Sequence, residues 1–190
     1  MKHITWNVIP LSTPAVIRYC RKCGKKTPFR SSDHFRVNAQ QKSLDIWLIY
    51  KCETCDATWN AEVYARISPQ KLDNTLLERF HRNDAALAKH YALDMQFLRR
   101  NQVQPEEIPY VVEGSAFSPE EDVLLTIRCD HSLPIHLSKI IRSKLSLSQK
   151  DFLNRIASGT IYSTPQKDLK KCRLGEGIIL RFEQKKPRPP

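Results

Sequence analysis

Residues 44–50 (LDIWLIY) are rich in β-branched and aromatic side chains, and residues 58–64 (TWNAEVY) alternate apolar with polar at a period of two. Both are strand patterns. A shorter strand is predicted over residues 15–19 (AVIRY), where Pro10 and Pro14 keep the lead-in extended. Polar residues 38–43 read as the turn between two longer strands. At Ile67 the period changes to about 3.6. Ser68 stands as a helix cap with Pro69 at the first helical position, Ile67 and Leu72 are placed for a hydrophobic staple, and Leu72, Leu76, Leu77 and Phe80 share one face. After Asn83, Asp84 opens a second predicted helix reaching Asn101, with Ala86, Leu87, Tyr91, Leu93, Phe97 and Leu98 along its stripe. The two make a helical hairpin over residues 68–101, suited to packing on the strands or on another subunit.

Residues 102–122 contain Pro105, Pro109 and Pro119 among carboxylates and read as a linker with one short strand at 110–112. Residues 123–129 alternate again and open a new module. From His136, the sequence HLSKIIRSKLSLSQKDFLNRIASGTIY predicts two helices and a strand. Leu137, Ile140, Ile141 and Leu145 form the apolar face of the first helix. Ser148 caps the second with Asp151 three residues on, and Gly159 stands where a left-handed cap ends it. Leu174-Gly175-Glu176-Gly177 reads as a tight turn before a closing strand over 178–182.

Four cysteines organise the first part of the chain. Cys20 and Cys23 form one Cys-x-x-Cys pair, Cys52 and Cys55 another, and 28 residues separate Cys23 from Cys52. Two such knuckles supply the four thiolates of a closed, tetrahedral, structural Zn²⁺ site. Gly24 follows the first knuckle where a positive φ turns the chain back, and Lys25 and Lys26 add positive charge beside a site of net negative charge. Knuckle, strand, knuckle, strand is the order of a zinc ribbon. Disulfides or four reduced thiols are the alternative, and His34 reads as a strand or loop residue because the sulfurs already fill the site. The predicted class is α+β: an antiparallel zinc ribbon over residues 1–67, the helical hairpin, the linker, a small α+β module over 123–184, and a disordered basic tail over 185–190.

The chain has 190 residues with 41% hydrophobic, enough for two or three small modules. No secretory signal or membrane-length apolar run is read, so a cytoplasmic location is expected, with Cys129 and Cys172 as small buried hydrophobes. The net charge of +11 is unevenly placed: residues 1–67 carry +6, residues 68–122 carry −4 and residues 131–190 carry +9. That last concentration points to a polyanionic partner. His90 and Asp94 lie one helical turn apart; an acid/base pair is conceivable, but a polar contact within the helices is the plainer explanation. No nucleophile motif, phosphate loop or His-Glu-x-x-His occurs, so no enzyme is expected.

Leu137, Ser148-Gln149-Lys150-Asp151, Ile156, Ser158-Gly159-Thr160-Ile161 and Leu174-Gly175-Glu176-Gly177-Ile178 stand in an order that resembles the small RNA-binding domain first described in ribosomal small-subunit protein four. The resemblance covers roughly residues 135–182. It implies that two helices present polar and basic side chains to structured RNA, here Lys139, Arg142, Lys144, Gln149, Lys150 and Arg155. His136 and Ser138 stand where that family usually has Arg and Asp, and Ser163-Thr164-Pro165 replaces its Asn-Gly turn. The whole chain also looks like a bacterial family catalogued only as a domain of unknown function. The function expected is therefore a zinc-stabilised, non-enzymatic protein that binds rRNA or tRNA, on or off the ribosome. An interaction adaptor or homodimer using residues 68–101 is the alternative.

Overall fold

The computed structural model describes residues 1–40 and 42–184, so the basic tail expected at 185–190 lies outside the described residues. The chain divides into two compact units, Leu11–Pro109 and a second built from Met1–Pro10 together with the chain from Tyr110 onward.

The first strand, β1 (Lys2–Pro10), alternates strictly and buries Ile4, Trp6, Val8 and Pro10. It does not join the cysteine-bearing strands. Four strands of the sheet that carries Cys20 and Cys52 follow: β2 (Val16–Cys20), β3 (Lys25–Gln40), β4 (Ser43–Cys52) and β5 (Thr58–Ile67), each antiparallel to the next. A 3-10 turn at Pro69–Lys71 precedes α1 (Asn74–His81), α2 (Ala85–Leu93), α3 (Met95–Arg100) and the two-residue strand β6 (Gln104–Pro105), which closes a sheet of order β5-β4-β3-β2-β6. Then come β7 (Tyr110–Glu113), β8 (Val123–His136), α4 (Leu137–Leu145), α5 (Gln149–Ala157), β9 (Ile161–Thr164) and β10 (Arg173–Phe182).

Within the Leu11–Pro109 unit the helices cover one sheet face. Phe35, Ile46, Leu48, Ala61 and Val63 from the strands pack with Phe80, Leu87, Ala88, Ala92, Phe97 and Leu98 from the helices. Phe35 meets Phe80 edge-on with ring centres 4.9 Å apart, a geometry favoured by the ring quadrupoles. The helices thus use their apolar stripes against their own sheet.

The helix boundaries differ from the sequence pattern for identifiable reasons. Ser68 and Pro69 start only the 3-10 turn, with no side-chain cap bond from Ser68. The α-helix begins after Asp73, whose carboxylate accepts from the Leu76 N–H at 3.1 Å. Asp84 caps α2 as expected, through the Leu87 N–H at 2.9 Å; the Arg79 guanidinium and that N–H hold its carboxyl down to about 2. The second helix is broken at Asp94, which leaves helical geometry at ψ 108 and caps α3 through the Gln96 N–H at 2.7 Å. A short side chain that can bond the backbone ahead of it ends one helix and starts another.

Two asparagines fasten the helices to the sheet. Between Ser31 and Phe35 the β3–β4 register shifts, and the Phe35 N–H donates at 2.6 Å to the Asn83 side-chain oxygen. Asn83 itself sits at φ 54, a left-handed conformation that asparagine tolerates better than most residues. Asn101 accepts from the Glu62 N–H at 2.7 Å and donates to the Glu62 carbonyl at 3.0 Å, satisfying part of the β5 edge as a strand would.

The second unit is a sheet of order β7-β1-β8-β10-β9 in which β1 and β8 are parallel and the other pairs antiparallel. This pairing is why residues 1–10 separate from the cysteine unit, and why the proline-containing 102–122 stretch is only partly connective: β6 belongs to one sheet and β7 to the other. Leu137, Ile140, Ile141 and Leu145 of α4 and Phe152 of α5 are buried, and Ser148 caps α5 through the Asp151 N–H at 3.0 Å. Gly159 lies at φ 75 just past α5, as expected. Leu174–Gly177 is not a turn. It is the bulged start of β10, with register shifts against β8 on both sides of Gly175, because glycines that permit a turn also permit a bulge. Cys129 is buried, whereas Cys172 is half-exposed.

Candidate metal centre

The two knuckles are the tips of neighbouring hairpins. β2 and β3 pair down to Cys20↔Lys25, β4 and β5 down to Lys51↔Thr58, and Phe29↔Cys52 pairing aligns the hairpins side by side. Both tips have one geometry. The Gly24 N–H bonds the Cys20 carbonyl at 2.9 Å and the Asp56 N–H bonds the Cys52 carbonyl at 2.9 Å. Gly24 lies at φ 70 and Asp56 at φ 56. Asp56 thus performs the reversal that glycine performs in the first knuckle.

This repetition brings Cys20, Cys23, Cys52 and Cys55 together with all four sulfurs within 4.8 Å of one another. Cys20 Sγ lies 3.5 Å from Cys55 Sγ, and Cys23 Sγ 3.9 Å from Cys52 Sγ. Metal–sulfur bonds of about 2.3 Å in a tetrahedron set the sulfurs about 3.8 Å apart, and the two separations bracket that edge. A disulfide needs sulfurs about 2.05 Å apart, and all six cysteines are free thiols. Cys20 and Cys52 are buried, and Cys23 and Cys55 half-buried. The donor set fits a thiophilic divalent ion with no position left for substrate.

Local electrostatics prepares one thiolate first. The Cys52 thiol is held down at about 6, chiefly by the Thr27 hydroxyl 3.2 Å from its sulfur, with the Thr54 and Cys55 N–H groups contributing. Cys23 is pushed up to about 12 by its hydrogen bond with Cys55, by burial and by the other sulfurs. Four neighbouring sulfurs resist shedding all their protons; a divalent cation among them reverses that preference, so metal uptake releases protons. Thr27, 3% exposed, was not singled out from the sequence, because its partner is a cysteine 25 residues away. The adjoining Lys22 donates to the Cys55 carbonyl at 3.4 Å. His34 bonds the Ser32 carbonyl at 2.5 Å in the β3 irregularity.

A family profile described as "Protein of unknown function (DUF1062)" matches residues 37–167. The chain belongs to that family. The matched span holds Cys52 and Cys55 but starts after Cys20 and Cys23, so the four-sulfur cluster is a finding from this chain's geometry and not from family membership. No curated protein and no solved structure matches the chain. Among the described residues, no helix is long and apolar enough to cross a membrane.

In this DUF1062 member several of the six basic and polar side chains named on the C-terminal helices also hold the fold together. Lys139 and Lys150 are exposed. Arg142 donates to the Gln149 side chain at 2.6 Å, joining α4 to α5, and Lys144 donates to the Val112 carbonyl of β7 at 2.9 Å. Arg155 bonds the Pro119 carbonyl at 3.1 Å and pairs with Glu120. Charge alone does not reveal which cations also fasten the helices to the rest of their unit. His90 is exposed with its ring against Tyr91, while the Asp94 carboxylate caps α3.

Proposed function

We propose that the protein is a non-enzymatic, cytoplasmic chain whose four-cysteine site holds one structural Zn²⁺ in a zinc-ribbon arrangement, and that its C-terminal unit binds structured RNA. The observation that carries the zinc assignment is the convergence of four sulfurs within 4.8 Å at two matching hairpin tips. Four soft thiolates favour Zn²⁺ over oxygen-seeking ions, and reduced thiols suit a reducing compartment. Metal analysis of purified protein should return about one zinc per chain, with chelation removing the folded signal of the cysteine unit. An iron or disulfide form in freshly purified protein would refute this.

RNA binding is supported by the +9 balance of residues 131–190 and by the resemblance of residues 135–182 in sequence to the small ribosomal-protein RNA-binding domain. Lys139 and Lys150 are the contacts to test, because both side chains are exposed on the helices. Replacing both by Glu should weaken binding of a structured RNA such as a tRNA transcript and flatten its salt dependence by about 0.9 for each lost phosphate contact. Unchanged affinity and slope in that double variant would remove the proposal.

A further inference from the structure

Beyond the metal and the C-terminal helices, a groove of about 600 Å³ runs along the β2 edge of the Leu11–Pro109 unit. Arg21 and Lys26 line it with Ile17 and Tyr19, opposite residues 102–104, while the Arg18 guanidinium lies 4.5 Å over the Trp59 ring, and no carboxylate is among its lining residues. Tyr19 is 57% exposed. Residues 18–26 contain five cations and no acid. A zinc–tetrathiolate centre carries a charge of about −2, so positive charge remains in excess around the groove.

The side chains repeat one arrangement. Tyr19 stands directly across from Lys26, and Trp47 across from Arg36. Both pairs lie on the sheet face opposite the helices, where Arg36 is exposed and Trp47 half-buried. Glu62, across from Trp47 on β5, marks the far limit of this cationic area. Rings beside cations recognise a ligand that alternates planar groups with phosphates. An acidic peptide added as a strand is the poorer fit, because β6 already pairs with Val16 and Ile17 and leaves only Arg18 to Cys20 open on that side. A peptide strand usually needs about five residues of edge.

The geometry points to a second nucleic-acid site on the cysteine unit: the β2 groove takes single-stranded nucleic acid, with Tyr19 stacking a base and Arg21 and Lys26 receiving phosphates. The site is separate from the C-terminal helices and does not depend on them.

Fluorescence anisotropy of full-length, zinc-loaded protein with a labelled oligouridylate of about ten nucleotides tests it. Tyr19→Ala should weaken binding about tenfold, Tyr19→Phe should restore it, and Arg21→Glu with Lys26→Glu should lower the salt slope by about 0.7 per contact. Zinc content, measured alongside, should stay at one per chain. Lys150→Glu should leave oligouridylate binding intact while it weakens tRNA binding, so the two sites fail independently. Wild-type affinity in Tyr19→Ala overturns the assignment, as does no measurable oligouridylate binding. Tighter, Tyr19-dependent binding of poly-glutamate overturns it in favour of an acidic protein partner.

Discussion

Thr27→Val removes one hydroxyl beneath the metal site and keeps the shape of a side chain that is 3% exposed. The hydroxyl lies 3.2 Å from Cys52 Sγ and is the first cause of that thiol's fall from 9.0 to about 6. A depressed thiol pKa gives a contribution that is complete above 9.0 and lost as pH falls through about 6. Deleting the donor moves the thiol back toward its ordinary value, so protons compete with zinc most strongly between those limits. Loss of one contact that orients a ligand lowers metal affinity by about 10–100-fold. Competition against a chromophoric zinc chelator should show that loss near neutral pH, shrinking as pH approaches 9.0. Thr27→Ser, which keeps the hydroxyl, should stay near wild type. Equal affinities for wild type and Thr27→Val across this range would show that the hydroxyl does not tune the site.

Two further substitutions probe one unit each. Asn83→Ala loses the bond to the Phe35 N–H and places a Cβ-bearing residue without a polar tip at φ 54; it should cost about 3 kcal/mol in urea unfolding, while Asn83→Gly, which relieves the backbone, should recover about 1 kcal/mol. Equal stability of the two variants would refute the backbone part of that account. Gly114 lies at φ 123, and an added Cβ would stand 2.4 Å from the Thr5 carbonyl oxygen and 2.6 Å from Trp6 Cδ1, so Gly114→Ala should destabilise the β1–β7 unit by about 3 kcal/mol and leave zinc affinity unchanged. A wild-type melting temperature would contradict this crowding.

The knuckles were legible because metal spacing is local: Cys-x-x-Cys and the glycine after it are contiguous in sequence. Asp56 hid its equivalence to Gly24, since aspartate enters left-handed geometry only where the turn requires it. The pairing of β1 carried no such signal. Lys2 meets Val123 across a parallel register, and an alternating strand announces its buried face but not its partner. Asp94 read as a polar partner of His90 within one long helix because its neighbours keep the apolar period, although its side chain ends that helix. The partners of Lys144 and Arg155 lie 32 and 36 residues away, beyond any local charge pattern.

Charge would link a metal held by the four sulfurs to the groove beside them. With zinc bound, the tetrathiolate centre adds about −2 next to the cations of residues 18–26. With zinc removed and most of the thiols protonated, that negative charge largely disappears and nothing ties the two hairpin tips together. Chelation therefore does two opposed things: it raises the local positive charge and it frees the β2 tip that places Tyr19. If the charge alone attracts oligouridylate, removing zinc should strengthen binding; if a positioned ring beside cations is required, removing zinc should weaken it despite the added charge. The second outcome is expected, because Tyr19 immediately precedes Cys20 on the same strand, so an ion closing the knuckle would also fix the ring. Anisotropy measured with and without chelator, at matched ionic strength, separates the two, and tighter binding by the metal-free protein would leave Tyr19 without the role assigned to it.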